Sequence, residues 1–140
     1  MPVITREISF HTKGNSQVVD ITPLVYAELE TSRIRDGLVA LFVPGSTGAL
    51  TTIEYEGGVV SDLKEAIERL IPEKIQYKHN LAWDDGNGHS HVRASFLGPS
   101  LTVPLVKGNL TLGTWQQIVF IDFDNRSRSR HLIIQIVGDA

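Results

Sequence analysis

Leu38-Val39-Ala40-Leu41-Phe42-Val43 is a continuous apolar run with the length of one β-strand, and the rest of the chain is read outward from it. Such a run is typical of a strand that is buried on both faces. It ends at a glycine-containing turn over residues 44–50, and residues 51–55 continue as a second strand. The sequence therefore predicts a β-sheet at the centre of the molecule.

The residues that precede this run predict a hairpin followed by a helix. Val3–Thr12 alternates loosely with period two and is rich in β-branched residues, which is typical of a strand. Residues 13–16 read as a turn, and residues 17–21 return as the partner strand. Thr22 then offers an N-cap and Pro23 occupies the first helical position, so we expect a helix to about residue 34.

The residues that follow the run predict one long helix and several further strands. Ser61 offers an N-cap, and apolar residues recur at helical spacing over residues 60–71 until Pro72 ends the pattern. Four more strands are expected at residues 100–105, 110–112, 117–123 and 130–137. The pattern predicts one compact α+β domain over residues 1–140, with about eight strands in mostly antiparallel sheet, two main helices and one short helix.

Composition excludes several classes of protein. The formal net charge of −3 argues against a general nucleic-acid binder, because such proteins carry a basic surplus. The chain has no cysteine, which excludes disulfides, thiolate metal sites and a cysteine nucleophile. No apolar run approaches the roughly 18 residues that a membrane span needs, and the N-terminus lacks the apolar core of a signal peptide. We therefore expect a soluble cytoplasmic protein with no nucleic-acid or membrane partner.

Side chains that can carry chemistry concentrate in residues 79–98, H-N-L-A-W-D-D-G-N-G-H-S-H-V-R-A-S-F-L-G. The stretch holds three of the five histidines, two aspartates and one of the two tryptophans. Its first half has the Asp, Asn and Gly composition of a tight loop. Asn87 can then cap a short helix, which Gly98 and Pro99 end. If the protein has a chemical centre, we expect it here.

The short helix presents two faces of different character. Val92 and Phe96 lie four residues apart and are expected to bury one face. His89 and Arg93 also lie four apart and share another face, at the positive end of the helix. A histidine and an arginine beside free backbone N–H groups predict an anion or phosphate site.

The histidines of this stretch allow three uses. His79, His89 and His91, with Asp84 or Asp85, can furnish a three-ligand site with an open position, as catalytic zinc sites have. His89 and His91 are two residues apart, so on a helix they point about 200° from each other and reach one metal only at an irregular helix start. Alternatively, a histidine beside an aspartate is the usual proton-transfer pair. In the third use, the histidines only cap and hydrogen-bond the loop.

Three other places can hold charged or polar ligands. The turn at Ser46 and Thr47 offers hydroxyls and backbone N–H groups to a phosphate, although it lacks the lysine and spacing of a P-loop. Glu54 and Glu56, two apart on a strand, can supply paired carboxylates or form a solvated face. Residues 126–130 place three arginines across a turn, which favours a solvated turn over an anion clamp.

Two motifs carry a resemblance to a known family. The run N-G-H-S-H-V-R-A-S-F-L-G-P-S-L-T-V-P over residues 87–104, followed by L-G-T-W-Q-Q-I over residues 112–118, closely resembles the YjbQ-like family. This family is often labelled secondary thiamine-phosphate synthase. The likeness extends from Val3 to Gly138 and includes R-D-G-L at residues 35–38 and F-V-P at residues 42–44. It implies a compact α+β fold, a homotrimer and a site near the subunit boundaries.

The chain departs from the family at one turn. Many members carry a histidine and paired threonines after the strand proline, where this chain has Gly45-Ser46-Thr47. Any role of that histidine therefore cannot be carried over. The match is intact at a larger set of residues, which are His79, Asp85, Asn87, His89, His91, Gly113, Trp115 and Gln116.

The resemblance implies an alkyl transfer, in which a hydroxymethylpyrimidine diphosphate loses pyrophosphate as the nitrogen of a thiazole phosphate attacks its methylene carbon. The catalytic candidates are His79, Asp85, His89, His91 and Gln116. The substrate-binding candidates are Ser46, Thr47, Asn87, Arg93, Gly113 and Trp115, where Trp115 would stack on the pyrimidine. Mg²⁺ would normally assist such a departure, and the carboxylates available for it are Asp84, Asp85 and Glu54.

Two alternatives come from other functional classes. In one, His79, His89 and His91 hold Zn²⁺ or another transition metal and activate water for hydrolysis. In the other, a non-catalytic trimer binds a small metabolite or an anion in a polar pocket. The alkyl transfer and both alternatives expect a small-molecule partner, and the alkyl transfer expects a phosphorylated one.

Overall fold

A computed structural model describes residues 1–140 as two antiparallel sheets and four helices. The strands are β1 (Val3–Thr12), β2 (Gln17–Asp20), β3 (Asp36–Phe42), β4 (Gly48–Glu54), β5 (Ser100–Val106), β6 (Asn109–Leu110), β7 (Gln116–Asp122) and β8 (Arg128–Asp139). The helices are α1 (Thr22–Ser32), α2 (Gly57–Leu70), α3 (Lys78–Trp83) and α4 (Gly88–Leu97). A large sheet has the strand order β1-β8-β3-β5-β6, and a small sheet has the order β2-β7-β4. The predicted α+β class and the eight strands are thus confirmed.

The small sheet lies between the large sheet and two helices. Phe120 faces the large sheet and belongs to a core of 17 buried residues that includes Leu41 and Ile134. Ile121, the next residue of β7, faces the opposite way into a second cluster of seven buried residues with Ile67 of α2 and Ala94 of α4. Because successive strand residues point to opposite faces, β7 is buried on both sides.

The sequence predicted that β3 is buried on both faces, and this prediction is wrong. The strand that is buried on both faces is β7. Along β3 burial alternates: Val39 and Leu41 are buried, whereas Leu38 and Phe42 are 52% and 48% exposed. Only one face of β3 packs on the core, so its other face is an uncovered apolar surface within the single chain. A continuous apolar run in the sequence does not tell whether both faces of a strand are buried in the core or one face is left exposed in the single chain.

The predicted hairpin at the N-terminus is wrong, although both of its strands exist. β1 pairs with β8 in the large sheet, whereas β2 pairs with β7 in the small sheet. The turn between them contains Gly14, Asn15 and Ser16, all with positive φ (77°, 55° and 66°). The N–H groups of Asn15 and Ser16 donate to carbonyls of Asp124 and Asp122, which fixes the turn on the small sheet. The chain therefore crosses from one sheet to the other instead of folding back.

The long helix forms as predicted but begins earlier, at Gly57. Ser61 is not its N-cap. Instead, the Glu56 carboxylate accepts hydrogen bonds from the N–H groups of Gly58 and Val59, at 2.9 and 2.8 Å. These bonds hold the pKa of Glu56 below its ordinary value. None of the four helices is long and apolar enough to cross a membrane.

The short helix α4 has the predicted ends but buries a different face. Asn87 is its N-cap residue and Gly98 its C-cap residue. Val92 and Phe96, which were expected to be buried, are 36% and 76% exposed. The buried face carries His89 and Arg93 instead. Charged and polar side chains thus face the protein interior, and helix α3, which was not predicted, lies beside them.

Candidate functional site

A cavity of about 350 Å³ opens between the β3–β4 loop and α4. It is lined by seven residues, which are Gly45, Ser46, Gly48, His91, Ala94, Ser95 and Pro99. We refer to it as the His91 cavity. The glycines keep its walls short, so Ser46, Ser95 and the half-buried ring of His91 supply its polar side chains. The hydroxyl of Ser95 donates to the carbonyl of His91 at 3.0 Å, which leaves Ser46 and His91 free to bind a ligand.

His91 belongs to a chain of three titratable side chains. Its ring lies against that of His79 on α3, with centroids 4.5 Å apart and planes tilted by 41°. Nδ1 of His79 lies 3.3 Å from Oδ1 of Asp85, an ion-pair distance that lacks the alignment of a hydrogen bond. The structure therefore brings together His79, Asp85 and His91, as the proton-transfer hypothesis requires.

His89 stands apart from this chain. It is 2% exposed, its Nδ1 has no hydrogen-bond partner, and its Nε2 lies 3.8 Å from a carboxylate oxygen of Glu73. Burial lowers the pKa of His89, and the positive charge of Arg93 lowers that pKa further against the opposing effect of nearby carboxylates. The three histidines do not converge, and no group of three or more His, Asp or Glu side chains is placed to hold a metal ion.

Buried His89 makes stability depend on pH. Its lowered pKa means that below pH 6.5 the unfolded chain binds a proton that the folded chain does not, so the free energy of unfolding falls. We expect a fall of at most about 1.4 kcal/mol per pH unit from this one proton. Urea unfolding from pH 8 to 5 measures it. His89→Gln should remove this component and exposed His11→Gln should keep it; equal slopes in both variants would contradict the assignment.

Arg93 does not reach the His91 cavity, which corrects its predicted role in phosphate binding. Its Nε donates to the carbonyl of Ile71 at 2.9 Å, and its Nη1 donates to Oγ of Ser16 at 3.2 Å. Its Nη2 pairs with the carboxylate of Glu68 at 2.5 Å. All three nitrogens are engaged, so Arg93 ties α4 to the end of α2.

A buried network of ionic and hydrogen-bonding groups lies beneath the β3–β4 loop. Both carboxylate oxygens of Asp122 accept from Arg130, at 2.7 and 2.8 Å. Nη2 of Arg130 also donates to the hydroxyl of Thr47, at 2.8 Å, and that hydroxyl donates to Oδ2 of Asp124, at 3.1 Å. The hydroxyl of Thr47 is thus used within the protein, which makes Thr47 a support of the loop and not a substrate ligand.

Asp124 links Thr47 of this network to Arg128, which is partly exposed. Burial raises the pKa of Asp124, but the hydrogen bond from Thr47 and the charge and hydrogen bond of Arg128 outweigh this and lower it overall. Arg128 Nε lies 3.0 Å from Oδ2 of Asp124. Asp124 therefore remains ionised at neutral pH and accepts the hydrogen bond that fixes the hydroxyl of Thr47.

One nitrogen of Arg130 is left over by this network. Nη1 makes no hydrogen bond within the protein, and it lies 3.5 Å from the position that a Cβ on Gly45 would occupy. The free nitrogen therefore lies beside Gly45, which lines the His91 cavity, although Arg130 itself is not among the lining residues. With the hydroxyl of Ser46 and the ring of His91, it makes three donors for an anion around this loop.

The remaining predicted site residues lie elsewhere. Asn87 is buried and accepts hydrogen bonds from the hydroxyl of Ser90 and, at 3.2 Å, from the N–H of Asn125. Gly113, Trp115 and Gln116 belong to the far end of the small sheet. Gly48 pairs with Asp122 at one end of the β4–β7 ladder and Glu54 pairs with Gln116 at the other, which separates the ends by about 20 Å. Within one chain, Gln116, Trp115 and Glu54 therefore do not meet His91.

The sequence reading missed Asp122 and Asp124. Both follow an apolar strand at alternate positions, and Arg128 and Arg130 have the same spacing after the turn. Side chains two apart on a strand share a face, so this pattern indicates two matched ion pairs across the turn between β7 and β8. In the structure this turn joins the two sheets, and the pairs are Asp122 with Arg130 and Asp124 with Arg128.

Comparison with known proteins gives a consistent result. The family model described as UPF0047 protein YjbQ-like matches residues 6–139. A UPF0047 protein of Methanothermobacter thermautotrophicus is 38% identical over 138 residues, covering 99% of this chain and 94% of that protein. A solved structure of a YbjQ-like protein of unknown function from Sulfolobus solfataricus aligns with a TM-score of 0.89 at 31% identity, covering 99% of this chain and 100% of that one. A YjbQ/UPF0047 structure from Clostridium acetobutylicum aligns with a TM-score of 0.86 at 34% identity, covering 94% and 99%.

Proposed function

Because this chain belongs to the YjbQ-like UPF0047 family, we propose that it is an enzyme acting on a phosphorylated small molecule, with the His91 cavity as its site. The names of the relatives state no reaction, so the argument rests on the geometry of the cavity. The observation that carries it is the free Nη1 of Arg130 beside Gly45, a residue that lines the cavity together with Ser46 and His91. A guanidinium and a hydroxyl are the usual partners of phosphate oxygens.

The reaction proposed for this site is the alkyl transfer named by the family label. The nitrogen of a thiazole phosphate forms a bond to the methylene carbon of hydroxymethylpyrimidine diphosphate. The bond between that carbon and the bridging oxygen breaks, and the pyrophosphate leaves with the electron pair. The developing negative charge on the leaving oxygen is what the protein has to stabilise.

The three donors of the cavity suit that requirement. Nη1 of Arg130, which lies beside Gly45, and the hydroxyl of Ser46 hold the pyrophosphate oxygens, and a ring N–H of His91 donates to the same group. Arg130 is fixed in place by Asp122, so it loses little freedom on binding. A preformed set of donors stabilises charge in the transition state without rearrangement.

His79 and Asp85 act behind His91 in this proposal. The ring of His79 packs on that of His91, and the carboxylate of Asp85 lies 3.3 Å from Nδ1 of His79. The pair therefore positions the ring of His91, while His91 itself contacts the substrate.

Neither of the two metal hypotheses fits the donor set. His89 is buried away from His79 and His91, so the three-histidine zinc site is not assembled. Asp84 and Asp85 lie on the loop after α3, whereas Glu54 lies at the far end of β4, so these carboxylates do not form one magnesium site. We derive no step through a metal, and the metal-dependent hydrolase is not proposed.

The experiment that tests the proposal supplies both substrates to the purified protein. Formation of thiamine phosphate, read by conversion to fluorescent thiochrome, must match the release of pyrophosphate mole for mole. Release of phosphate or pyrophosphate without thiamine phosphate would replace the transferase with a hydrolase. If calorimetry shows binding of pyrophosphate but neither transfer nor hydrolysis occurs, the alternative of a non-catalytic binding protein would be the one supported.

We also propose that the outer face of the large sheet is where copies of the chain meet as a homotrimer. Val3, Leu38 and Phe42 on this face stay about half exposed or more in the single chain, so no helix packs over them. A row of apolar side chains crosses it along the ladder, where Val3 pairs with Val137, Val137 with Leu38 and Leu38 with Pro104. Phe42 follows on the same face and is 48% exposed. Contiguous exposed apolar surface of this kind is typical of subunit contacts.

Replacing Leu38 and Phe42 together by lysine is expected to turn the trimer into monomers, because each lysine would have to be desolvated at the contact. Light scattering coupled to size-exclusion chromatography measures the mass. Leu70→Lys is the matched control, because Leu70 is 78% exposed on α2, away from this face. A wild-type monomer, or a double variant that stays trimeric, would contradict the proposed contact.

A further inference from the structure

A second cavity, of about 370 Å³, lies at the opposite end of the small sheet from the His91 cavity. It is formed where β4 leads into α2 and where the chain enters β7. Its lining is six residues, Glu54, Tyr55, Glu56, Thr114, Trp115 and Gln117. We refer to it as the Trp115 cavity. Neither its aromatic nor its acidic residues are used by the proposed reaction.

Two aromatic side chains of this cavity have faces without a partner. Trp115 is 74% exposed and Tyr55 is 48% exposed. Neither ring stacks on another aromatic ring or lies under an arginine. Aromatic faces carry a negative electrostatic potential, which attracts cations. The cavity therefore presents unoccupied π surface.

The charge of the lining also favours a cationic ligand. Glu54 makes no ion pair, and no lysine, arginine or histidine lines the cavity. Glu56 is fixed by the N–H groups of Gly58 and Val59 at the start of α2, so its carboxylate stays ordered at the rim. Two carboxylates with no cation beside them repel anions and make the cavity unfavourable for a purely apolar ligand.

We propose that the Trp115 cavity binds an organic cation of the quaternary or aromatic ammonium class. The rings of Tyr55 and Trp115 contact the weakly hydrated charge, and Glu54 supplies the long-range attraction. A strongly hydrated inorganic cation would gain little from the rings and would demand more oxygen ligands than this lining offers. The inference goes beyond the proposed reaction, because this cavity lies at the other end of the β4–β7 ladder, which is about 20 Å long, from the His91 cavity.

Choline and its neutral isostere 3,3-dimethylbutan-1-ol are the probes that test this proposal without any turnover. In a Trp83→Phe background, Trp115 is the only tryptophan and reports on its own surroundings. We expect saturable quenching of Trp115 fluorescence by choline and none by the isostere at equal concentration. Equal binding of the two probes, or no saturable change with choline, would overturn the proposal.

Variants then locate the site and separate charge from contact. Calorimetric titration of choline should show binding weakened about two- to fivefold by Glu54→Gln and by Trp115→Leu, the range of one exposed cation–π or ionic contact. Glu65→Gln, an exposed glutamate on α2, and Trp83→Phe are the matched controls and should bind as the wild type does. Loss of affinity in the controls to the same extent, or none in Glu54→Gln and Trp115→Leu, would overturn the assignment.

Discussion

Arg130→Met is expected to lower the free energy of unfolding by about 3–5 kcal/mol, the usual cost of leaving a buried carboxylate without its partner. Asp122 is fully buried, and the guanidinium of Arg130 bonds to both of its oxygens. The hydroxyl of Thr12 would be the one remaining side-chain donor to Asp122. Methionine keeps most of the volume of the arginine stem, so the loss measures the charge and not a cavity. Urea unfolding at pH 7 gives the value.

Two further variants separate this pair from its surroundings. Arg126→Met is the control, since Arg126 is exposed on the same turn and makes no ion pair, and its effect should stay within about 0.5 kcal/mol. Asp122→Leu combined with Arg130→Met should recover part of the loss, because it removes the stranded charge. A loss below about 1 kcal/mol in Arg130→Met alone would show that the pair contributes like an exposed one.

His91→Ala is expected to reduce kcat of the proposed transfer about 10²–10⁴-fold with the fold intact, because a positioned proton donor is lost. Lys64→Ala is the control: this lysine is exposed on α2, away from the His91 cavity and from the outer face of the large sheet, and should leave kcat unchanged. The measurement is steady-state kinetics, with circular dichroism to confirm folding. An unchanged kcat in His91→Ala would remove His91 from the reaction.

His79→Ala and Asp85→Asn act through His91, so a smaller effect of a different kind is expected. Both should lower kcat by less than His91→Ala does, because the ring of His91 loses the packing and support that fix its position. They should alter KM little, since neither side chain lines the His91 cavity. A rise in KM as large as the loss of kcat would indicate that they only hold the loop in place.

Local pattern was enough to predict most elements of the fold. The alternation over Val3–Thr12, the helix ending before Pro72 and the residues that bound α4 are all found in the structure. These features depend on propensity and capping within a few residues. Pairing was not predictable in the same way, because the turn at Gly14–Ser16 suits a hairpin and a crossover equally well. Its direction is decided by carbonyls more than 100 residues away.

The candidate site shows the same division. The sequence placed His79, Asp85 and His91 in one stretch, and the structure brings them together. It also placed Arg93 and His89 there, but composition does not reveal which face of α4 is buried. The face that holds these two residues packs inward because Glu68 and the carbonyl of Ile71 satisfy the guanidinium. Gln116 and Trp115 were grouped with the histidines by family likeness, and the length of β7 separates them.

The order of strands in the large sheet also bears on how the protein is made. β1 forms ten residue pairs with β8, from Val3 with Val137 to Thr12 with Arg128, so the first strand has no partner until the last has left the ribosome. Completion of the large sheet must therefore follow the synthesis of β8, and such long-range pairing makes folding slow. The same pairing brings Val3 beside Val137. In a circular permutant, a short linker would join the end of β8 to the start of β1, and the chain would begin at the exposed Lys107 turn. β8 and β1 would then be synthesised one after the other and would pair early.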